Sequence, residues 1–142
     1  MHSYKFIVNH RDTMSCSALE DFLTKESSKY CKELDRQFGW DVRNLPVELK
    51  SDISYNIWGY VSTHALDKIT INYNRFIIAA PAALFILKEV IPHEVAHCYA
   101  ERIKSGAGHG NVWAMCVKML NKPVFTYANE RYPKYVMGMR DY

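Results

Sequence analysis

At 142 residues the chain has the size of one domain, and a second full-sized domain is excluded. With 49% hydrophobic and 23% charged residues it is not a disordered tail, and the net charge of +3 demands neither a nucleic acid nor a membrane as partner. Cys16, Cys31, Cys98 and Cys116 are widely spaced with no C-x-x-C pair and look like neither a zinc ribbon nor a secreted disulfide framework.

The first twelve residues turn polar after Phe6-Ile7-Val8 and lack the ~7–15-residue apolar core of a signal peptide. The longest apolar run, Phe76 to Leu87, is broken by Pro81 and falls short of the ~20 residues of a membrane span. The expectation is a soluble protein of the reducing cytoplasm, without internal repeats or low-complexity tracts.

Ser17 with Glu20 three residues later reads as a capping box, opening a helix to about Phe38 whose apolar positions are Leu19, Phe22, Leu23, Tyr30, Leu34 and Phe38. Gly39 ends it. Lys25, Lys29, Lys32 and Arg36 recur on the opposite face. They form either a basic stripe for phosphate or, as is commoner, a solvated face broken up by Glu26, Glu33 and Asp35. Asn44-Leu45-Pro46 marks a loop. Apolar and polar residues then alternate over Ile53 to Val61 and over Ile69 to Tyr73, which predicts two strands joined through Thr63 to Asp67 as an antiparallel hairpin. Ala82 to Lys104 is the most helical stretch. Within it Pro92 either kinks the helix or starts a new one, and it fixes the backbone just before His93. After Ser105-Gly106-Ala107-Gly108, a last helix should run from about Gly110 to Leu120 with Val112, Trp113, Cys116, Val117 and Leu120 inward. The expected organisation is one domain over 1–142, with a core of about 17–120 and an aromatic segment, 121–142, packing on it.

His93-Glu94-Val95-Ala96-His97 is an H-E-x-x-H pattern on a predicted helix. Residues four apart on a helix share a face at a rise of ~6 Å, so both imidazoles can reach one ion. Glu94 is turned off that axis, beside an open coordination position, where it can take a proton from zinc-bound water. With 6 histidines in the chain, the pattern would arise in about 1–2% of shuffled sequences, so its apolar setting of Val90, Ile91, Val95 and Ala96 matters to the reading.

A catalytic zinc takes a third protein ligand and keeps one open position. The long metzincin pattern is excluded, because Ala100 and Ile103 stand where it has glycine and histidine. His109 is the preferred third ligand, since the glycine-rich break lets the start of the next helix fold back on the first. Glu101, one turn beyond His97, and Glu130 are the competitors. Three ligands on one straight helix cannot surround an ion, which sets Glu101 behind His109. Cys98 points about 100° off the metal face and reads as a buried small hydrophobe. His2, His10 and His64 read as exposed.

Val90-Ile91-Pro92-His93-Glu94-Val95-Ala96-His97, followed by Gly108-His109-Gly110-Asn111-Val112-Trp113, resembles the SprT family of zincin-like metallopeptidases, which includes the Spartan proteases. Trp58-Gly59-Tyr60 and Ile69-Thr70-Ile71-Asn72 resemble the family's hairpin, so the likeness covers roughly Ser17 to Leu120. It implies an α+β, zincin-like metalloprotease core made of an N-terminal helix, a small antiparallel sheet and an active-site helix. In it, one catalytic Zn2+ is held by His93, His97 and His109, and Glu94 serves as general acid/base. Trp113 would pack beneath the third-ligand loop, a place that equally suits an ordinary core aromatic. Lys122 to Tyr142 contains no cysteine, unlike the four-cysteine ribbon that similar bacterial members commonly carry.

The resulting expectation is a zinc-dependent endopeptidase acting on protein substrates, with Glu94 activating zinc-bound water. The alternative is a DNA-associated protein whose proteolysis depends on nucleic acid, or whose zinc is mainly structural. That alternative rests on Lys25, Lys29, Lys32 and Arg36 and on the interleaved basic and aromatic residues Phe125, Tyr127, Arg131, Tyr132, Lys134 and Tyr135.

Overall fold

The computed structural model describes residues 3–42, 45–51, 58–63, 69–79 and 83–124. In chain order the elements are α1 (Tyr4–Asn9), α2 (Cys16–Phe38), β1 (Val47–Lys50), β2 (Gly59–Thr63), β3 (Ile69–Asn74), a 3-10 turn (Ile77–Ala79), α3 (Ala83–Ile103) and α4 (Asn111–Met119). The fold is α+β: four helices and a three-stranded sheet among the described residues.

Helix α2 begins two residues earlier than its sequence signature suggests. Ser15, not Ser17, is the N-cap, and its Oγ accepts the Ala18 N–H at 3.1 Å. The Ser17/Glu20 pattern therefore lies inside the first turns of the helix, and the hydroxyl two residues earlier satisfies a free N–H of that turn. The helix ends at Gly39 in the left-handed conformation, as expected. Leu19, Phe22, Leu23 and Leu34 are buried, while Tyr30 and Phe38 pack at the core's margin.

Two acids expected on the solvated face of α2 are instead buried. Glu26 accepts a hydrogen bond from Lys29 Nζ at 2.7 Å and one from the Tyr4 hydroxyl at 3.1 Å, the latter tying α1 to α2. Asp35 accepts from the Tyr99 hydroxyl at 2.7 Å and from the Val42 N–H with both oxygens, at 3.1 and 3.0 Å. Burial of a carboxylate is tolerable only with such partners. Phe38, Trp40 and Tyr99 stack along the same seam.

The hairpin forms with β2 antiparallel to β3, pairing Gly59 with Tyr73 and Thr63 with Ile69. The sheet as a whole is mixed, because β1 joins the other side of β3 in parallel, giving the order β1-β3-β2. Its first residue lies directly after the expected loop, and the Pro46 carbonyl accepts the Ile71 N–H at 2.9 Å. Residues 53–57 of the expected first strand, and 64–67 of the expected turn, lie outside the described residues.

Helix α3 is continuous through Pro92. The proline withholds one N–H from the carbonyl of Lys88, the cost that a proline inside a helix carries. Every residue from Val90 to Ala100 is buried. The helix packs against α1, α2, α4, β2 and β3 and is the hub of the core. Helix α4 buries Trp113, Cys116 and Val117 as expected, with Leu120 at its C-cap, whereas Val112 is half-buried. Among the described residues no helix is long and apolar enough to cross a membrane.

Candidate metal centre

His93 and His97 project from the same face of α3, one turn apart, and His109 reaches them from the turn before α4. That turn is built for the approach. Gly106 and Gly108 take φ values of 75° and 53°, the left-handed region that a side chain disfavours. The Glu101 carboxylate accepts the Gly106 N–H at 3.0 Å, and the Gly110 N–H donates to the Ala107 carbonyl at 3.1 Å. Glu101 therefore shapes the turn that carries His109, and does not join the histidines.

The three side chains bring their ligand atoms within 4.8 Å of one another. His93 Nε2 lies 3.1 Å from His109 Nε2 and 3.1 Å from His97 Nε2. An imidazole nitrogen carries either one hydrogen or one lone pair, directed in the ring plane, so it cannot form linear hydrogen bonds to two neighbours at once. A shared cation reconciles both contacts. Around a tetrahedral ion with ~2.0–2.1 Å bonds, nitrogen ligands stand ~3.3 Å apart, close to what is found. The donor set fits: these three residues could hold a metal ion.

Trp113 lies against all three rings. Its indole stacks on His97 at 5.4 Å between centroids with 23° between planes, and it stands 4.7 Å from both His93 and His109. Its Nε1–H donates to the His93 carbonyl at 3.3 Å. It is thus a core aromatic and a support for the site at once, and its packing restricts the ring orientations on which ligation depends.

Glu94, one residue after His93, is fully buried and turned toward the sheet, where Gly59 at the start of β2 abuts it. Further inside, Tyr73 Oη and Ser27 Oγ share a hydrogen bond at 3.0 Å, and burial pushes the Tyr73 hydroxyl well above its usual range. Cys98 is buried and does not join the histidine group, and burial raises its thiol well above the ordinary value, with the neighbouring Cys31 and Glu94 adding to the effect. His10 is exposed, stacked on Phe6.

Lys25, Lys29, Lys32 and Arg36 do lie along α2, but three of them are paired on their own helix. Lys25 meets Asp21 at 3.0 Å, Lys29 meets Glu26 at 2.7 Å, and Arg36 meets Glu33. Glu130, His2, His64 and the basic and aromatic residues of 125–142 fall outside the described residues.

Fold and site together define an α+β domain built around a three-histidine group able to hold a metal on a buried H-E-x-x-H helix. Residues 27–133, about three-quarters of the chain, match the SprT-like family, and the chain belongs to that family. No curated protein and no solved structure matches it. The match reaches 13 residues beyond Leu120, where the likeness read from the sequence ends, so part of the aromatic segment belongs to the family unit.

Proposed function

We propose that the protein is a zinc-dependent endopeptidase with a zincin-like site, acting on protein substrates. The observation that carries this reading is the convergence of the His93, His97 and His109 nitrogens, with the buried Glu94 one residue after His93 on α3. Three imidazoles without a cysteine or a second carboxylate suit zinc and leave a coordination position open, the pattern of catalytic and not structural sites. Zinc in such a site supplies Lewis acidity, acidifying water and polarising a substrate carbonyl.

The chain's own residues do the rest. His93 and His97 are fixed by the packing of α3, and His109 by its turn, so the ligand set keeps its geometry through a reaction cycle. Glu94 takes the proton from the attacking water at its carboxylate and passes it to the departing amide nitrogen, so that the amine leaves neutral. Trp113 and the wall of α3 keep bulk water from the inner side of the site.

A Glu94→Gln variant tests the assignment. It should fold and bind zinc as wild type does, and lose cleavage of fluorescein-labelled casein by at least ~100-fold, as loss of general acid/base catalysis commonly entails. Cleavage at the wild-type rate would remove Glu94 from the mechanism.

A further inference from the structure

Gly59 opens β2 at the edge of the sheet and is buried. A Cβ placed on it would stand 3.1 Å from Glu94 Cγ, 3.3 Å from Glu94 Oε2 and 3.2 Å from the Asn72 carbonyl oxygen. Non-bonded carbons rest ~3.5–4.0 Å apart, so even a methyl group requires a neighbour to yield by a few tenths of an ångström. The backbone of Gly59 is not in the left-handed region, in contrast to Gly39, Gly106 and Gly108. What this position requires of glycine is therefore space and not conformation.

Neither wall can retreat easily. On one side β2 is held to β3 by its register, and the Asn74 N–H donates to the Trp58 carbonyl at 2.9 Å just before Gly59. On the other side α3 is buried all along Val90 to Ala100, so a shift of its backbone would disturb packing on every face. The softest element of the contact is the Glu94 side chain. It turns about its own χ angles, whereas the others are backbone.

We propose that Gly59 is a positioning residue for Glu94: its bare backbone forms the surface on which the carboxylate rests, and a larger residue there displaces Glu94 while leaving the three imidazoles in place. The catalytic consequence rests on the peptidase reading above; the steric one does not. Displacements approaching 1 Å in catalytic groups cost up to ~100-fold in rate, so a shift of a few tenths of an ångström should cost up to about 10-fold.

The experiment compares wild type with Gly59→Ala, Glu94→Ala and the double variant. Thermal unfolding of chelator-treated protein, zinc affinity by competition with a chromophoric chelator, and cleavage of fluorescein-labelled casein are the three readouts. In Gly59→Ala, kcat should fall about 10-fold while KM and zinc affinity stay within twofold of wild type. Glycine to alanine in a strand ordinarily stabilises, so a lowered unfolding temperature reports the clash. That penalty should shrink or reverse when Glu94 is also alanine, because two of the three close contacts are then gone. An equal penalty in both backgrounds would overturn the proposal by assigning the clash to the Asn72 carbonyl, as would a Gly59→Ala enzyme with unchanged kcat. If Gly59→Ala fails to fold, folding of the double variant supports the proposal and its failure refutes it. Absence of cleavage by wild type would refute the peptidase reading, and the stability coupling would still decide the role of Gly59.

Discussion

Replacing His109 by alanine separates the metal site from the fold that carries it. His109 is half-buried in the turn before α4, and its ring meets the site histidines and Trp113. Without metal, the substitution should cost about 1 kcal/mol, the usual scale for a partly buried side chain. With metal the difference grows. At a free zinc concentration 100 times Kd, wild type gains ~2.7 kcal/mol, which for a domain of this size raises the unfolding temperature by about 10 °C. Loss of a direct ligand weakens binding by more than the ~10–100-fold that follows loss of a supporting group. If Kd rises ~1,000-fold, the same zinc concentration is ~0.1 Kd and the shift drops below ~1 °C. The assay is a zinc titration of chelator-stripped wild type and variant followed by differential scanning fluorimetry, with metal content measured after gel filtration. A His109→Ala protein that keeps the full zinc-induced shift and one equivalent of metal would refute the three-histidine assignment.

Trp113→Phe keeps a ring against the histidines but removes the donor to the His93 carbonyl and part of the stacked surface; zinc affinity should fall about 10-fold by chelator competition, and an unchanged Kd would reduce Trp113 to core filling. Asp35→Ala strips the acceptor from the Val42 N–H and takes the carboxylate from the Tyr99 hydroxyl, which keeps the Cys31 carbonyl, so urea unfolding should show a loss of about 2–4 kcal/mol. Burial pushes the Cys31 thiol up to about 12 and the Cys116 thiol up to about 11, and that of Cys98 well above its ordinary value. Since a raised thiol pKa leaves less thiolate at any lower pH, iodoacetamide at pH 8 should modify exposed Cys16 in the native protein and the other three only after denaturation, as read by mass spectrometry.

The metal site was the most legible part of the chain because covalent spacing fixes it: His93 and His97 share a helix face whatever else the fold does, and the two glycines before His109 announce a reversal. What the sequence concealed depends on distant partners. Glu26 and Asp35 look like solvated acids until Tyr4, 22 residues away, and Tyr99, 64 residues away, supply their donors. Strand β1 has only four residues, too few for alternation to stand out, and its pairing with Ile71 to Asn74 is parallel, with β2 intervening in sequence. Helix α1 buries Ile7 alone, so no apolar period marks it. The need for glycine at position 59 is visible only once β2 lies against α3.

The wheel of α3 explains how one helix serves site and scaffold without conflict. At 100° per residue, His97 lies 40° from His93, Glu94 lies 100° away and Tyr99 about 240° away. Each direction meets a different element: the histidines face Trp113 of α4 and its preceding turn, Glu94 faces Gly59 of β2, and Tyr99 faces Cys31 and Asp35 of α2. Substitutions on these faces should therefore act on separate quantities. Changes toward α4 weaken metal binding, those toward β2 lower turnover with metal retained, and those toward α2 lower stability alone. Asp35→Ala discriminates this scheme from one in which α3 moves as a loose rod. Where the folded variant still binds zinc with wild-type Kd, the three faces are independent; a Kd weakened in step with stability would mean that the α2 seam positions the histidines as well.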